Sequence, residues 1–203
     1  MSEKVKFYYN PMSRGRIVHW MLEETGAEYE IQKMEWKTAD HKSPEYLKIN
    51  PMGKIPAITH RGVAITETAA ICAYLADAFP KAGLAPALDA PERGSYYRWL
   101  FFSSNCVEPA TMDRAYPRAK APESSHLGYG SYDLVMNVME EGVKKGFVCN
   151  NRFSAADLYL ASQIGWGIFM KNIDPRPAFT EYLMRCEDRP AYRRYIDQAG
   201  PIS

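Results

Sequence analysis

The sequence predicts a mixed α/β region followed by an all-helical region, and three observations carry that prediction. Strand and helix patterns alternate up to residue 79. Residues 79–86 contain two prolines, a glycine and little apolar periodicity, which is typical of a connection. From residue 91 onward the strand patterns disappear and helical stripes follow. We therefore expect a first domain over residues 1–79, a linker over 80–90 and an all-helical domain over 91–203.

The first domain begins with a strand–helix–strand pattern. Residues 5–9 alternate in the manner of a half-buried strand. An apolar stripe over residues 17–22 then indicates a helix that stops at Gly26. Residues 29–33 alternate again, and a right-handed crossover would place this second strand parallel to the first.

A β-hairpin over residues 55–65, with its turn at 60–62, follows in the same domain. Pro56 lacks an N–H and therefore suits a strand edge. A cis bond before it would turn the N–H and C=O of Ile55 outward, free for an extended peptide ligand.

An amphipathic helix is predicted directly after the hairpin, over residues 67–79. Its N-terminus carries unsatisfied N–H groups and a partial positive charge, which suit a carboxylate, and Glu67 suits an ammonium group. These features indicate a site for a small peptide with a free α-amino acid end. The alternative is a plain hairpin and an ordinary capped helix.

Helical stripes dominate the second half, with helices predicted over residues 92–116 and 130–145. Ser154 and Asp157 have the spacing of a capping box at the start of a third helix. That helix is apolar almost all round, so we expect it to run through the core of its domain.

Composition excludes several classes of function. The net charge of +1 favours no nucleic-acid partner, and no apolar run is long enough to span a bilayer. The four cysteines and four histidines have neither disulfide-rich nor metal-ligand spacing, so we expect no metal. Free thiols and the lack of a signal-peptide pattern indicate a cytoplasmic protein.

The string N-P-M-G-K-I-P-A-I, a short hairpin and E-T-A-A-I-C-A-Y-L resemble the cytosolic glutathione transferases. The resemblance implies a thioredoxin-like first domain and an all-helical second one. It also implies a cis Ile55–Pro56 bond, with Ile55 pairing to the cysteinyl backbone of glutathione. Glu67 and Thr68 match the pair that holds the γ-glutamyl end in that family.

The run H-K-S-P-E-Y-L resembles the phi-type plant enzymes and related bacterial ones. This resemblance implies that His41 and Lys42 contact the glycyl carboxylate of glutathione, together with Lys54. Cations are apt partners for a terminal carboxylate. Without a ligand, His41 and Lys42 would be ordinary solvated loop residues.

Three residues compete to activate the thiol of glutathione. The resemblance to the serine-type families favours Ser13, which otherwise is only a helix cap. Tyr9 could reach the sulfur from the strand end, and Arg14 could stabilise a thiolate by charge. Arg14 and Arg16 both fall in the first turn of a helix, where the macrodipole disfavours cations. They either help to hold an anion there or serve surface solubility.

The resemblance implies a glutathione transferase that presents a thiolate to a small hydrophobic electrophile. We expect an acceptor pocket formed by four residues, which could instead serve the core or a dimer seam: Met12, Phe102, Cys106 and Tyr116. Glutathione is expected as co-substrate, without a permanently bound cofactor, in a homodimer. The alternatives are a glutathione-dependent isomerase or peroxidase, or a non-catalytic interaction module. A thiol transferase would need a cysteine in the first loop, which this sequence lacks.

Overall fold

The computed structural model describes residues 4–120 and 122–200, which form two compact units. The strands are β1 (Val5–Tyr9), β2 (Tyr29–Lys33), β3 (Ala57–His60) and β4 (Val63–Thr66). The helices are α1 (Gly15–Thr25), α2 (Pro44–Leu47), α3 (Thr68–Ala78), α4 (Glu92–Phe102), α5 (Glu108–Ala115), α6 (Tyr132–Val143), α7 (Ala155–Phe169), α8 (Pro177–Glu187) and α9 (Pro190–Ala199). A sheet followed by helices confirms the predicted fold class.

The four strands of the first unit form one sheet in the order β2-β1-β3-β4. The predicted parallel pairing of β1 and β2 is confirmed, with Phe7 opposite Ile31. Strand β3 is antiparallel to both β1 and β4. Alternation along β1 sends Phe7 and Tyr9 towards α1, where both rings lie close to that of His19.

The hairpin and the cis Ile55–Pro56 bond are both confirmed. His60 pairs with Val63, so the turn consists of Arg61 and Gly62 alone. Both turn residues have positive φ, which matches the right-handed twist of the flanking strands.

The second unit contains α4 to α8, and the helix expected over residues 92–116 is interrupted there. A π-helical segment, Ser103–Val107, separates α4 from α5. Pro109 accounts for the interruption, because it has no N–H to donate to the carbonyl four residues earlier. The predicted capping box of Ser154 and Asp157 is present at the start of α7.

Helix α9 groups with the first unit, whereas the expected domain division placed every residue after 91 in the helical domain. The helix packs against α1. Its aromatic residues explain this placement: the rings of Tyr192 and Tyr195 both lie against Trp20 of α1. The first unit is therefore built from both ends of the described chain.

Within residues 4–120 and 122–200, no helix has the length and apolar character that a membrane crossing requires.

Candidate functional site

A pocket of about 200 Å³ lies in the first unit, at the loops that follow β1 and β2 and the turn before β3. It is lined by Met12, Ser13, Arg14, Trp36, His41, Lys42, Gly53, Lys54 and Ile55. Seven of these residues were singled out in the sequence, so the fold brings half of the candidate set together at one pocket. Their roles in binding or catalysis stay predictions.

Ser13 lies in the turn between β1 and α1 and is half-buried. Its hydroxyl donates to the carbonyl of Asn10 at 2.6 Å and accepts from the N–H of Gly15 at 3.0 Å. Gly15 is needed for this close geometry, because a Cβ there would come within 2.9 Å of Ser13 Oγ. A hydroxyl that already accepts an N–H is polarised as a donor towards a pocket ligand.

Tyr9 lies behind this turn, and the pocket lining does not include it. Its side chain is only 6% exposed, and its hydroxyl has no hydrogen-bond partner among the described residues. Burial raises the pKa of the phenol, although the positive charge of Arg16 acts in the opposite direction. The phenol is thus packed into the interface of β1 and α1.

Lys42 is held towards the pocket by the turn at residues 50–53. Its Nζ donates to the carbonyl of Met52 at 3.2 Å. Gly53 has a φ of +58°, and a Cβ at that position would lie 2.7 Å from the backbone carbonyl oxygen of His41 and equally close to the Lys42 ammonium. A glycine is required there for both reasons, which gives the N-P-M-G string a physical basis.

The backbone carbonyl of Lys54 is hydrogen-bonded, whereas the backbone groups of the next residue, Ile55, are not bonded to any described residue. The carbonyl of Lys54 accepts from the Tyr46 hydroxyl and from Asn50 Nδ2. Neither the N–H nor the C=O of Ile55 takes part in a hydrogen bond with any residue that the structure describes. Ile55 therefore presents a backbone donor and acceptor without partners at a bend that borders the pocket.

Trp36 is a pocket residue that sequence reasoning missed. It is 43% exposed, and its ring meets the ring of His41 edge-on at a centroid distance of 5.0 Å. Asp40 fixes the loop that presents it, accepting from the N–H of Glu35 at 2.9 Å and from the Thr38 hydroxyl at 2.6 Å. A single aromatic residue in a polar loop produces no periodic pattern. The only sequence signal for Trp36 is that it lies a few residues before His41 and Lys42.

Glu67, Thr68 and Pro56 are not among the pocket-lining residues. Glu67 immediately precedes α3 and has φ 64° and ψ 119°, a conformation that is strained for any residue other than glycine. Its side chain is exposed, whereas Thr68 is buried as the first residue of the helix. Strain of this kind is concentrated at functional positions, and the sequence contained no sign of it.

The remaining candidates for an acceptor pocket belong to the second unit. Phe102 packs edge-on against Trp99, at 5.4 Å between ring centroids. Cys106 lies in the π-helical segment, where burial raises the pKa of its thiol. Tyr116 is 70% exposed at the end of α5. Their proposed contribution to an acceptor pocket stays a prediction.

The charge distribution defines what the pocket can bind. Its lining contains Arg14, His41, Lys42 and Lys54 but no acidic side chain. The arginine and lysine side chains form charge-assisted hydrogen bonds with carboxylates, and a ring N–H of His41 can donate to the same group. Together with the open backbone of Ile55, they suit an extended peptide that carries a terminal carboxylate.

Comparison with known proteins gives concordant results. Residues 3–77 match the family model described as Glutathione S-transferase, N-terminal domain. Glutathione S-transferase GstA of Escherichia coli O157:H7 is 24% identical over 208 residues, covering 97% of this chain and 99% of GstA. A solved glutathione transferase from Methylococcus capsulatus is 29% identical, with a TM-score of 0.79 over 98% of this chain and 100% of that one. Glutathione transferase URE2P6 of Phanerochaete chrysosporium, solved with oxidized glutathione, shares the fold at 23% identity, with a TM-score of 0.81 over 99% of this chain and 98% of that one.

Proposed function

Because the chain belongs to the cytosolic glutathione transferase family, we propose that it binds glutathione in the pocket of the first unit. We also propose that it activates the glutathione thiol as a thiolate for attack on a small hydrophobic electrophile. The observation that carries this proposal is the combination of a cationic lining, a hydroxyl at Ser13 and an open backbone at Ile55. The URE2P6 structure, which contains oxidized glutathione in the same fold, supports the choice of ligand.

The glycyl carboxylate is assigned to His41, Lys42 and Lys54. The Lys42 ammonium is already oriented by the carbonyl of Met52, so little of its freedom is lost when a ligand binds. A hydrogen bond to a charged group contributes about 1.5–3 kcal/mol. Two such contacts would make the protein bind glutathione more tightly than a tripeptide that lacks this terminal carboxylate.

The remainder of glutathione is assigned to Ile55 and to the start of α3. The free N–H and C=O of Ile55 would pair with the cysteinyl residue as an added strand does. Glu67 would accept hydrogen bonds from the γ-glutamyl ammonium. The region of Thr68, at the positive N-terminal end of α3, would bind the α-carboxylate of the same residue. Both roles follow from the family resemblance, and the unusual backbone of Glu67 supports the first.

Ser13 is our choice for the group that lowers the pKa of the thiol. Its O–H would turn from the carbonyl of Asn10 to the sulfur while its oxygen continues to accept from Gly15. Lowering a thiol pKa from about 8.5 by two units requires about 2.7 kcal/mol. One hydrogen bond to an anion supplies about 1.5–3 kcal/mol, and a helix N-terminus adds up to about 1 or 2.

The burial of Tyr9 argues against it as the rival of Ser13. Its hydroxyl would have to leave a packed interface to meet a ligand, and its raised pKa reflects that burial. Arg14 remains the stronger rival, since it lines the pocket and could act on the sulfur by charge.

Calorimetry with glutathione tests the binding proposal directly. We expect Lys42→Ala to weaken binding about tenfold or more, through loss of one charge-assisted contact. Lys48→Ala is the matched control, because Lys48 is an exposed lysine of the same segment outside the pocket lining. Equal affinities of both variants and the wild type would contradict the assigned carboxylate site. A turnover screen over electrophile classes would then define the acceptor.

We also propose a homodimer, as the resemblance implies. Sedimentation at micromolar concentration is the test, and a monomer there would contradict it.

A further inference from the structure

Arg16 stands in an unexpected place for a buried cation. It is the second residue of α1 and only 8% exposed, at the helix end whose partial charge is positive. Among the described residues no carboxylate forms an ion pair with it. Burying an arginine without a carboxylate is costly unless other strong acceptors bind it.

The acceptors are the carbonyl of the last residue of α9 and that of the residue that follows the helix. Arg16 Nη1 donates to the carbonyl of Ala199 at 3.3 Å, and Nη2 donates to the carbonyl of Gly200. Gly200 has a φ of +73°, and its N–H bonds to the carbonyl of Ile196, so the helix ends there in a left-handed cap. The guanidinium thus binds the negative end of the α9 dipole, and it also lies 5.3 Å from the ring centroid of Tyr195.

The same arginine is tied to the pocket through the backbone. Its N–H donates to the carbonyl of Ser13 at 3.2 Å, so it closes the turn that presents the Ser13 hydroxyl. Gly15, between the two, is packed against the Tyr9 ring and Ser13 Oγ so closely that a Cβ would clash with both. Because Gly15 is packed so closely, a movement of Arg16 would displace Ser13 as well.

We propose that Arg16 is a positioning residue for Ser13, and that the end of α9 is the fixed point from which it acts. The proposal rests on the proposed role of Ser13 as the hydroxyl that binds the glutathione sulfur. In this arrangement the last helix of the described chain sets the geometry of the first of the loops that line the pocket. The C-terminal helix is then part of the thiol site although it does not line the pocket.

A matched pair of variants separates positioning from general stability. Arg16→Met removes the bonds to the end of α9. Arg194→Met removes another clamp between the same two helices, since Arg194 Nε donates to Glu23 Oε2 at 2.8 Å, far along α1 from Ser13. Both variants should lower the melting temperature, whereas only the first should disturb the turn at Ser13.

The measurement is the pKa of bound glutathione, followed by thiolate absorbance in the wild type, Arg16→Met, Arg16→Lys, Arg194→Met and Ser13→Ala. We expect Arg16→Met to raise this pKa by about one unit, which is a tenfold decrease in the acid dissociation constant of the thiol. Arg194→Met should leave it unchanged. Affinity for S-methylglutathione, which has no thiol proton, should stay within a few-fold in both variants.

Hydrogen exchange at the amides of residues 15–17 distinguishes positioning from an effect of the arginine's charge through space. Positioning predicts that these amides exchange faster in Arg16→Met, and that the pKa rise and the faster exchange accompany each other in Arg16→Lys. A pKa that rises without faster exchange would overturn the proposal. Arg16→Lys retains the charge but has a single nitrogen in place of the guanidinium fork, so it provides the same comparison if Arg16→Met does not fold.

The failure of this proposal is distinguishable from that of the proposed function. If the pKa rises in Ser13→Ala and is unchanged in Arg16→Met, Arg16 is not a positioning residue and the thiol assignment stands. If Ser13→Ala leaves the pKa unchanged, the thiol assignment fails and the positioning proposal fails with it.

Discussion

Ser13 and Ser154 both lie near the start of a helix, and their surroundings differ. Ser154, before α7, is 2% exposed, and its N–H and Oγ both donate to Asp157, at 3.0 and 2.8 Å. Ser13, before α1, is half-buried beside cations, and its hydroxyl donates only to the carbonyl of Asn10. The first turn of α7 contains an acid, whereas that of α1 contains none.

The comparison indicates which polar groups stabilise the fold and which are available to a ligand. A serine bound to a buried carboxylate has no donor left, and its contacts contribute to stability. A serine that donates to a turn carbonyl beside a pocket can exchange that partner for a ligand. The same residue type near a helix start therefore serves stability in one unit and, in our proposal, chemistry in the other.

The largest effect should come from removing the acceptor around which the Ser154 region is organised. Asp157→Ala would leave the N–H of Val148, the N–H of Ser154 and the hydroxyl of Tyr182 buried without their partner. We expect the free energy of unfolding in urea to fall by about 3–5 kcal/mol. Asp133→Ala, which removes an exposed acid in the first turn of α6, is the control and should cost less than about 1 kcal/mol. Similar losses of unfolding free energy in both variants would show that the burial of the capping box of Ser154 and Asp157 is unimportant for stability.

Next come the groups that we assign to the γ-glutamyl end. Glu67→Gln and Thr68→Ala should each weaken glutathione binding by about 1.5–3 kcal/mol, because each loses a charge-assisted contact, with the melting temperature nearly unchanged. Calorimetry provides the measurement. Glu45→Gln, in the first turn of α2, is the matched control. Affinities equal to that of the control would place the γ-glutamyl end elsewhere.

Gly15→Ala should perturb the Ser13 turn from within. The added Cβ would lie 2.8 Å from Tyr9 Cδ2 and 2.9 Å from Ser13 Oγ. We expect a loss of about 1–3 kcal/mol in stability and a higher pKa of the bound thiol. Gly94→Ala offers the comparison, since open space surrounds that helical glycine and the change should be neutral or stabilising. A Gly15→Ala protein with wild-type stability and thiol pKa would mean that the turn tolerates displacement.

The smallest effect is expected for Tyr9→Phe. The hydroxyl is buried without a partner among the described residues, so its removal should change stability by less than about 1 kcal/mol and leave the thiol pKa unaltered. Tyr46→Phe is the contrasting variant, because that hydroxyl donates to the carbonyl of Lys54, and its loss should be destabilising. A large rise of the thiol pKa in Tyr9→Phe would transfer the catalytic assignment from Ser13 to Tyr9.

Much of the first unit could be predicted because its signals are local. The alternation of residues 5–9 and the proline at residue 56 determine strand faces and edges without reference to distant parts of the chain. The capping box of Ser154 was predictable for the same reason, since its partners are three residues apart.

The features that were missed depend on long-range packing. The amphipathic pattern of α9 indicates that the helix packs on something, but it does not specify α1 as the partner. The guanidinium of Arg16 meets carbonyls 183 and 184 residues away, which no local pattern encodes. The strained backbone of Glu67 likewise depends on the strand and helix that it joins.

The pKa of the thiol of bound glutathione, compared between Ser13→Ala and Ser154→Ala, tests the central claim most directly. Our account predicts a rise of one to two units in Ser13→Ala, because one hydrogen bond to an anion is lost and about 1.4 kcal/mol corresponds to one unit. Ser154→Ala should lower the melting temperature and leave that pKa where it is in the wild type. A wild-type thiol pKa in Ser13→Ala would contradict the account and reduce Ser13 to a turn residue.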